Sequence, residues 1–334
     1  MDIPNNMSNK FSLDLTIIII THERPIHFKR TLKYIQNQPL NYIVLDSSKE
    51  SPSLSIPENV IYNHYPAVSM IEKLNKGISQ VKSKYVQLCA DDDFLITDAL
   101  RSLTHFLDQN NSYSAASGHT LSFIKKKNDV IFSSMYSYSR NLDINSDSIK
   151  ERLTDNFSPY FPLFYGVHRV KNLIHAFNVS KKTIKENYNL TELAINFCAT
   201  ANGKWKVLPE LFHIREEIID SAGTYTDGLA IIYKNDYLLF QSFVNELSEY
   251  LNHSHSIDIN DAKLFSFDAL STYISWGEKG IYPVKRRLAL LFKTLYSIYK
   301  RINRTKIDNY KKSTQINLSE IKNLNLEFNK EDTK

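Results

Sequence analysis

The stretch LCADDDFL, residues 88–95, brings three carboxylates together directly after a run with strand character. The preceding residues 84–89, KYVQLC, are β-rich and apolar enough for a buried strand. Adjacent acids at a strand end repel one another unless a cation neutralises them. Because Mg²⁺ and Mn²⁺ take oxygen ligands and bridge to substrate phosphates, Asp91-x-Asp93 predicts a metal–diphosphate site. The alternative is an acidic turn in which Asp93 or Asp98 caps the next helix.

Upstream of the acids, apolar strands alternate with helical patterns. The β-branched run 12–21, SLDLTIIIIT, suits a parallel strand that is covered on both faces. Helical spacing is found over 25–38 and 70–83. Two further strands are predicted at 41–48 and 59–65. This alternation predicts an open α/β sheet, in which ligands bind beyond the carboxyl ends of the strands. The residues that one such crevice would gather are Thr21, Asp46 and Asp91.

Downstream of the acids, the pattern continues into a second half and then a helical region. The elements predicted there are a helix over 97–110, a strand pair over 113–124 and 130–139, an irregular polar loop over 141–158, a helix over 189–202, and a strand, turn and strand over 204–217. The organisation that we predict is a domain over 12–227 with a nucleotide-binding half 12–100 and an acceptor half 101–227, a helical C-terminal region over 228–305, and a disordered tail over 306–334.

The composition excludes several classes of protein. With 42% hydrophobic and 23% charged residues among 334, the chain has a globular composition. It contains neither GxGxxG nor GxxxxGK[ST] phosphate loops. Cys89 and Cys198 form no disulfide framework or zinc motif, which favours a reducing compartment. Because the N-terminal segment lacks the apolar core of a signal peptide and IIII at 17–20 is too short to span a bilayer, we expect a cytoplasmic protein.

The chain resembles the GT-A glycosyltransferases, especially the inverting, family-2-like enzymes of bacterial surface-polysaccharide synthesis. The segments that carry the resemblance are TIIIITHERPIHFKRTLKYI (16–35), VLDSS (44–48) and KLNKGISQVKSKYVQLCADDDFL (73–95). They match that family's first strand with its T-x-x-R-P turn, its Asp after the second strand, and its N-x-G helix before the DxD. The resemblance covers 12–100 well and 160–220 loosely. It implies a Rossmann-like open mixed sheet with flanking helices.

The same resemblance implies a role for each matching position. The residues that it implies for binding the nucleotide-sugar donor are Thr21, Glu23, Arg24, Asp46, Asn75, Lys76, Asp91 and Asp92. Among these, Asp46 would accept a hydrogen bond from the nucleobase. Asp93 would hold Mn²⁺ or Mg²⁺ directly, and Asp91 would contact the ribose or the same ion. The ion would stabilise the charge that develops on the departing UDP or GDP.

Several of these positions also have a purely structural interpretation. Glu23 is placed where a first-turn acid is favoured by the helix dipole. Asp46, followed by two serines, is typical of a turn at a strand end. Arg24 precedes Pro25 and is therefore restricted to extended geometry, which suits the start of any helix.

The acceptor half should supply a base that takes the proton of the acceptor hydroxyl. In the family an Asp or Glu does this, and the best match is Glu192 in NLTELAIN, 189–196. The strongly acidic signature of the family is absent there. The alternative is a capping-box-like spacing in which Asn189 and Glu192 close their own helix. Weaker candidates for the base are Asp155, Glu186 and Glu210.

The segment LFHIREE, residues 211–217, offers two further site residues. By resemblance, His213 completes the metal shell and Arg215 clamps the diphosphate. Residues two apart on a strand face the same side, and the planar fork of Arg suits phosphate. The alternative is that Arg215 pairs with Glu216 or Glu217 at the surface.

The segment 285–306, KRRLALLFKTLYSIYKRINRTK, contains eight basic and no acidic residues. Its apolar residues recur three or four positions apart, which predicts a basic amphipathic helix. Such a helix suits the anionic inner face of a cell membrane, and the alternative is a helix packed on the domain with a solvated basic face. Nucleic acid is not a predicted partner, because no recognition module accompanies the charge.

These observations together predict a metal-dependent glycosyltransferase that moves a sugar from a UDP- or GDP-linked donor to a glycan or lipid-linked acceptor. One alternative is a sugar-1-phosphate nucleotidyltransferase, although THERP, 21–25, does not match the glycine-rich loop of that class. The other alternative is a non-catalytic, membrane-associated assembly protein that keeps the fold.

Overall fold

Ten strands form one mixed sheet in the part of the chain that the structure, a computed structural model, describes. That part comprises residues 13–126, 128–183, 187–217, 227–279 and 304–328. The strands are β1 (Leu15–Thr21), β2 (Asn41–Asp46), β3 (Val60–His64), β4 (Tyr85–Ala90), β5 (Phe94–Leu95), β6 (Tyr113–Lys126), β7 (Asp129–Met135), β8 (Asp143–Ile144), β9 (Val167–Arg169) and β10 (Lys204–Glu216).

Helices flank this sheet on both sides. The α-helices of the described residues are α1 (Pro25–Ile35), α2 (Met70–Ile78), α3 (Thr97–Gln109), α4 (Ile149–Asn156), α5 (Val170–Thr183), α6 (Tyr188–Asn202), α7 (Leu229–Asn235), α8 (Tyr237–His255), α9 (Ile259–Lys279) and α10 (Lys312–Phe328). Short 3₁₀ turns occur at Ser137–Ser139, Leu163–Tyr165 and Ile307–Asn309.

The strand order is β3-β2-β1-β4-β9-β6-β10-β5, with β7 beside β6 and β8 beside β10. Strands β3, β2, β1 and β4 are parallel, as are β6 and β10, and the remaining pairs are antiparallel. The carboxyl ends of β1, β2 and β4 therefore lie at one edge. The predicted α/β class, an open mixed sheet with flanking helices and a helical C-terminal region, is confirmed.

Strand β1 explains why the sheet needs helices on both faces. Ile18 faces a core that includes α2, α5, α6, α8 and α9, whereas Ile17 and Ile19 face a core that includes α1, α3 and α10. All three isoleucines are essentially inaccessible to solvent. A strand buried on both faces has no polar alternation, which is why 17–20 is a continuous apolar run.

Helices α7 to α9 share the first of these cores with the sheet domain. Phe240, Phe243 and Leu270 are fully buried there together with residues of β1 and β4. None of the helices in the described ranges is long and apolar enough to cross a membrane. Most of the basic segment 285–306 lies outside the described residues, which resume at Arg304.

Three predictions of local structure are wrong. The segment 141–158, predicted as an irregular loop, contains β8 and α4. Ser148 stabilises the start of α4 by accepting the Glu151 N–H. The predicted turn within 204–217 is instead an irregularity inside β10, where the register shifts between Val207 and Leu211 around Pro209.

The disorder predicted for 306–334 is wrong over Lys312–Phe328, which forms α10. Leu318, Ile321 and Phe328 lie on one face of this helix and are buried in the core that also contains α1 residues. The polar composition of the tail concealed this stripe, whose spacing of three to four residues is helical.

Candidate active site

The three acids lie at the carboxyl edge of the sheet and are all buried. Asp91 and Asp93 are 1% and 2% exposed, and Asp92 is 9% exposed. Ile20 of β1 is the register partner of Ala90, which places the end of β1 beside the acids. On the other side, β5 follows the acids directly and pairs with β10. The sheet thus gathers residues from β1, β4 and β10 around the acidic stretch.

Asp91 and Asp92 share the guanidinium of Arg24. Arg24 Nη1 donates to Asp91 Oδ1 at 2.7 Å, and Nη2 donates to Asp92 Oδ2 at 2.6 Å. Thr21 Oγ1 donates to the other oxygen of Asp91 at 2.6 Å. Burial, reinforced by the charge of Asp92, raises the pKa of Asp91 to about 7, although Arg24 and Thr21 oppose this shift.

Asp93 has different partners from its two neighbours. Its Oδ2 lies 2.9 Å from His213 Nε2, and its Oδ1 accepts the Glu216 N–H at 3.2 Å. Burial raises the pKa of Asp93, and the nearby His213 opposes the shift. The side chains of Asp93 and His213 are 1% and 2% exposed, so the pair is closed off from bulk water.

The Asp93–His213 pair fits two neighbouring ligands of one divalent cation. The Asp93 carboxylate is of the ligand type that such ions prefer, and the His213 imidazole nitrogen lies 2.9 Å from it. Within the described ranges no three His, Cys, Asp or Glu side chains converge as a complete metal cage. The pair therefore suits an ion such as Mg²⁺ or Mn²⁺ that takes its other ligands from a diphosphate and water. Asp91 contacts Thr21 and Arg24, and its role as a further ligand stays a prediction.

Asp46 lies at the end of β2 as the register partner of Thr21. Its two carboxylate oxygens accept the Ser48 N–H and the Tyr62 hydroxyl, each at 2.8 Å. These contacts hold the carboxylate in the turn that was the structural alternative for this residue. They also fix its orientation at the carboxyl edge, where the nucleobase contact remains a prediction.

Glu23 links the loop after β1 to the loop after β2. Its N–H donates to Ser48 Oγ at 2.7 Å, and its Oε1 accepts the Lys49 N–H at 2.8 Å. The backbone of Glu23 is left-handed, with φ of 52°, a conformation that costs a non-glycine residue about 1 kcal/mol. The first turn of α1 contains no acidic residue, so the interpretation of Glu23 as a first-turn acid is wrong.

The contribution of α2 to the site is Lys73, which the sequence did not single out. Lys73 is 2% exposed, and its Nζ donates to Thr21 O at 2.7 Å and to Ser47 Oγ at 2.9 Å. Burial lowers the pKa of Lys73 to about 8, despite the opposing charges of Asp46 and Asp91. Lys73 thereby ties the end of β1 to Ser47, the residue after β2.

The two α2 residues that were predicted for the site make other contacts. Asn75 donates to Ile71 O within its own helix at 2.9 Å, and Lys76 Nζ lies 5.0 Å from the ring centre of Tyr65. In the sequence, Lys73 and Lys76 are distinguished only by their positions around the helix. Both lie away from the apolar face of Ile71, Leu74 and Ile78, so helical periodicity did not show that Lys73 is buried.

Glu192 lies in α6 and accepts a hydrogen bond from the Tyr160 hydroxyl at 2.8 Å. The residue that caps α6 is Asn187, whose side chain accepts the Leu190 N–H. The capping-box interpretation of Asn189 and Glu192 is therefore wrong. Burial raises the pKa of Glu192, while the Tyr160 hydroxyl and the charge of Arg215 lower it.

Arg215 lies on β10, two residues after His213. Its guanidinium carbon is 5.4 Å from the ring centre of Tyr165, whose ring is in turn 4.8 Å from that of His213. The positive charge of Arg215 opposes the rise in pKa that burial causes at both Asp93 and Glu192. The guanidinium of Arg215 thus acts on Asp93, predicted as a metal ligand, and on Glu192, predicted as the base.

The surface pairing of Arg215 with Glu216 is not what the structure contains. Glu216 is buried, and its carboxylate pairs with Arg30 at 2.6 Å and with Lys125 at 3.2 Å. Among the weaker candidates for the base, Asp155 is exposed, Glu210 pairs with Lys311, and Glu186 lies outside the described residues.

Comparison with known proteins gives similar solved structures only. No protein-family model and no curated protein matches the chain. The crystal structure of residues 1–349 of S. aureus TarS is similar at 10% identity with a TM-score of 0.48, over 81% of this chain and 74% of that one. The same fragment in complex with UDP-GlcNAc is similar at 11% identity with a TM-score of 0.42, over 82% and 93%. Its complex with UDP has the same identity and TM-score, over 82% and 92%. At TM-scores below 0.5, the function of this chain has to be argued from its own residues.

Proposed function

We propose that the chain is a metal-dependent GT-A glycosyltransferase that moves a sugar from a nucleotide donor to a glycan or lipid-linked acceptor. The observation that carries this proposal is the buried Asp93–His213 pair, 2.9 Å apart at the carboxyl edge of an α/β sheet. The charge of Arg215 acts on both Asp93 and a second carboxylate, Glu192. Transfer from a sugar diphosphate would use a cation to stabilise the departing diphosphate and a carboxylate as the base.

The donor half of the site would hold the nucleotide diphosphate. Asp93 and His213 would hold Mn²⁺ or Mg²⁺, which when bound stabilises the charge on the departing diphosphate. Arg215 would bind diphosphate oxygens with its planar fork. Thr21 and Asp46 lie at the ends of β1 and β2, and Lys73 of α2 contacts Thr21 O. These residues would orient the ribose and the nucleobase.

The acceptor half would supply the base. Glu192 would take the proton of the acceptor hydroxyl as that oxygen attacks the anomeric carbon from the face opposite the diphosphate, which inverts the configuration. Because burial raises the pKa of Glu192, its carboxylate is a stronger base than an exposed one. The Tyr160 hydroxyl would hold that carboxylate in one orientation.

We place the reaction in bacterial surface-polysaccharide synthesis, at the inner face of the cell membrane. The sequence 285–306 is basic and amphipathic, which suits an anionic lipid surface and a lipid-linked acceptor. Sedimentation with vesicles of neutral lipid, and with vesicles that contain a quarter anionic lipid, tests this part. Equal binding to both would contradict it.

Calorimetric titration of UDP and GDP, each with and without Mn²⁺, tests the donor site. We expect metal-dependent binding of one nucleotide, lost in Asp93→Asn, with turnover of the matching nucleotide sugar. The matched control is Asp98→Asn, which removes an exposed acid five positions later. Folded protein that binds no nucleoside diphosphate would overturn the proposal. Metal-dependent binding without any donor turnover would favour the non-catalytic assembly protein.

A further inference from the structure

Arg30 of α1 lies behind the acidic stretch and is almost completely buried, at 1% exposure. Its Nη2 donates to Asp92 O at 3.1 Å, and its Nη1 lies 2.6 Å from a carboxylate oxygen of Glu216. The guanidinium also lies over the ring of Phe94, 5.1 Å from its centre. A buried guanidinium with these partners fixes the backbone at Asp92 relative to Glu216 of β10.

The fourth contact of Arg30 comes from the far end of the chain. Arg30 Nη1 donates to Asn325 Oδ1 of α10 at 2.6 Å, across 295 positions of sequence. Asn325 is fully buried, and its Nδ2 donates to Ile321 O at 2.8 Å, which turns its oxygen toward Arg30. An amide inside the apolar face of a helix costs stability unless it is hydrogen-bonded, so this residue has a specific partner rather than a filling role.

The network continues from Arg30 to the carboxylate that we propose as a metal ligand. Glu216, which pairs with Arg30, donates its own N–H to Asp93 Oδ1. From the same helix α1, Thr31 Oγ1 donates to Asp91 O at 2.6 Å. The backbone of the acidic stretch is thus held from behind by α1, and α1 is held in turn by Asn325.

We infer that Asn325 is a positioning residue for the acidic stretch, and that α10 is therefore part of the donor-site machinery. The consequence for catalysis rests on the proposed function. The chemical reason is that Asn325 Oδ1 accepts from Arg30 Nη1 and fixes the rotamer that brings Nη2 to Asp92 O and the guanidinium charge beside Glu216.

Amide hydrogen exchange of Asn325→Leu, without any ligand, tests the positioning directly. Asp93 N–H and Ile96 N–H donate to Ala90 O and Phe212 O, so the peptide over 90–96 reports on the acidic stretch. We expect its exchange to become about tenfold faster, whereas the β2 peptide, 41–46, keeps its wild-type rate. Asn325→Asp, which retains an oxygen acceptor for Arg30, should exchange like wild type.

A matched control separates positioning from loss of the helix. Lys33 of α1 pairs with Glu327 of α10 at the surface, so Glu327→Gln weakens the same helix contact without touching Arg30. Unchanged exchange over 90–96 in Asn325→Leu would overturn the inference, as would an equal acceleration in Glu327→Gln. If Asn325→Leu does not fold, Arg30→Lys, which loses the fork but keeps the charge, is measured in its place.

Nucleotide affinity then distinguishes this inference from the proposed function. We expect Asn325→Leu to bind the nucleotide about tenfold more weakly in the presence of Mn²⁺, with Asn325→Asp near wild type. If exchange accelerates but wild type binds no nucleotide, the positioning stands and the proposed function falls. If exchange accelerates and affinity is unchanged, the role of Asn325 in donor binding is overturned.

Discussion

The imidazole of His213 lies 2.9 Å from the carboxylate of Asp93, although 120 positions separate the two residues. The contact exists because β5, which follows the acids at once, pairs antiparallel with β10 in a register that places His213 opposite Leu95. Neither side chain is accessible to bulk water. The strand pairing thus fixes the position of His213 relative to Asp93, on which the proposed cation site depends.

Replacing His213 by Gln should weaken metal-dependent nucleotide binding about tenfold to a hundredfold, because one of the two protein donors to the ion is lost. Binding measured without metal should change little. Titration calorimetry with Mn²⁺ and with a chelator measures both. His105→Gln, an exposed histidine of α3, is the control. Equal affinity of His213→Gln and wild type in Mn²⁺ would show that His213 is not a ligand.

Replacing Glu192 by Gln should lower kcat by about a hundredfold to ten-thousandfold while leaving donor affinity unchanged, because the base is removed but the cation site is intact. Steady-state kinetics and a donor titration on the same variant measure the two effects. A variant that keeps wild-type kcat would exclude Glu192 as the base.

Replacing Tyr160 by Phe should move the acidic limb of the pH–rate profile to higher pH. The Tyr160 hydroxyl stabilises the charged form of Glu192, so its loss raises the pKa of that carboxylate further. Tyr250→Phe removes a buried hydroxyl that donates to Asn202 and serves as control. An acidic limb that stays in place, or moves equally in the control, contradicts the assignment.

The depressed pKa of Lys73 predicts that the free energy of unfolding rises between pH 8 and pH 10.5. Burial lowers the pKa of Lys73 to about 8 in the folded state from 10.5, so in this window the unfolded chain binds the extra proton. By linkage, the free energy of unfolding then increases with pH, by up to about 3 kcal/mol over the window. Urea unfolding from pH 7.5 to 9.5 should show a smaller slope for Lys73→Met than for wild type. Lys76→Met should retain the wild-type slope, and identical slopes for all three proteins would be inconsistent with a depressed pKa.

Replacing Arg24 by Gln should lower the free energy of unfolding by about 2 kcal/mol at pH 8, because Asp91 and Asp92 lose the guanidinium that they share. The loss should be smaller at pH 5, where Asp91, with a pKa of about 7, is protonated. Lys33→Gln, which breaks an exposed ion pair, should cost under about 0.5 kcal/mol at either pH. An equal loss for Arg24→Gln at both pH values would argue against the charge pairing.

Local sequence patterns were sufficient to predict the strands and helices around the three acids. The run 17–20 is continuously apolar because β1 is buried on both faces, and the acids follow β4 because ligands bind where parallel strands end. The prediction of Thr21, Asp46 and Asp91 at one edge needed only strand direction. The structure has that arrangement, with Thr21 and Asp46 in direct register.

Sequence alone determined which residues could be apolar core, where strands end and where carboxylates cluster, because these depend on neighbours within a few positions. Only the tertiary structure decided that Lys73 is buried rather than Lys76. It also decided that Asn187, and not Asn189 with Glu192, caps α6, and that Asn325 of α10 contacts Arg30. Those outcomes depend on contacts between segments far apart in the chain, so a local periodicity carries no information about them. The polar tail was predicted to be disordered for the same reason, because its apolar stripe gains stability only when it packs beside α1.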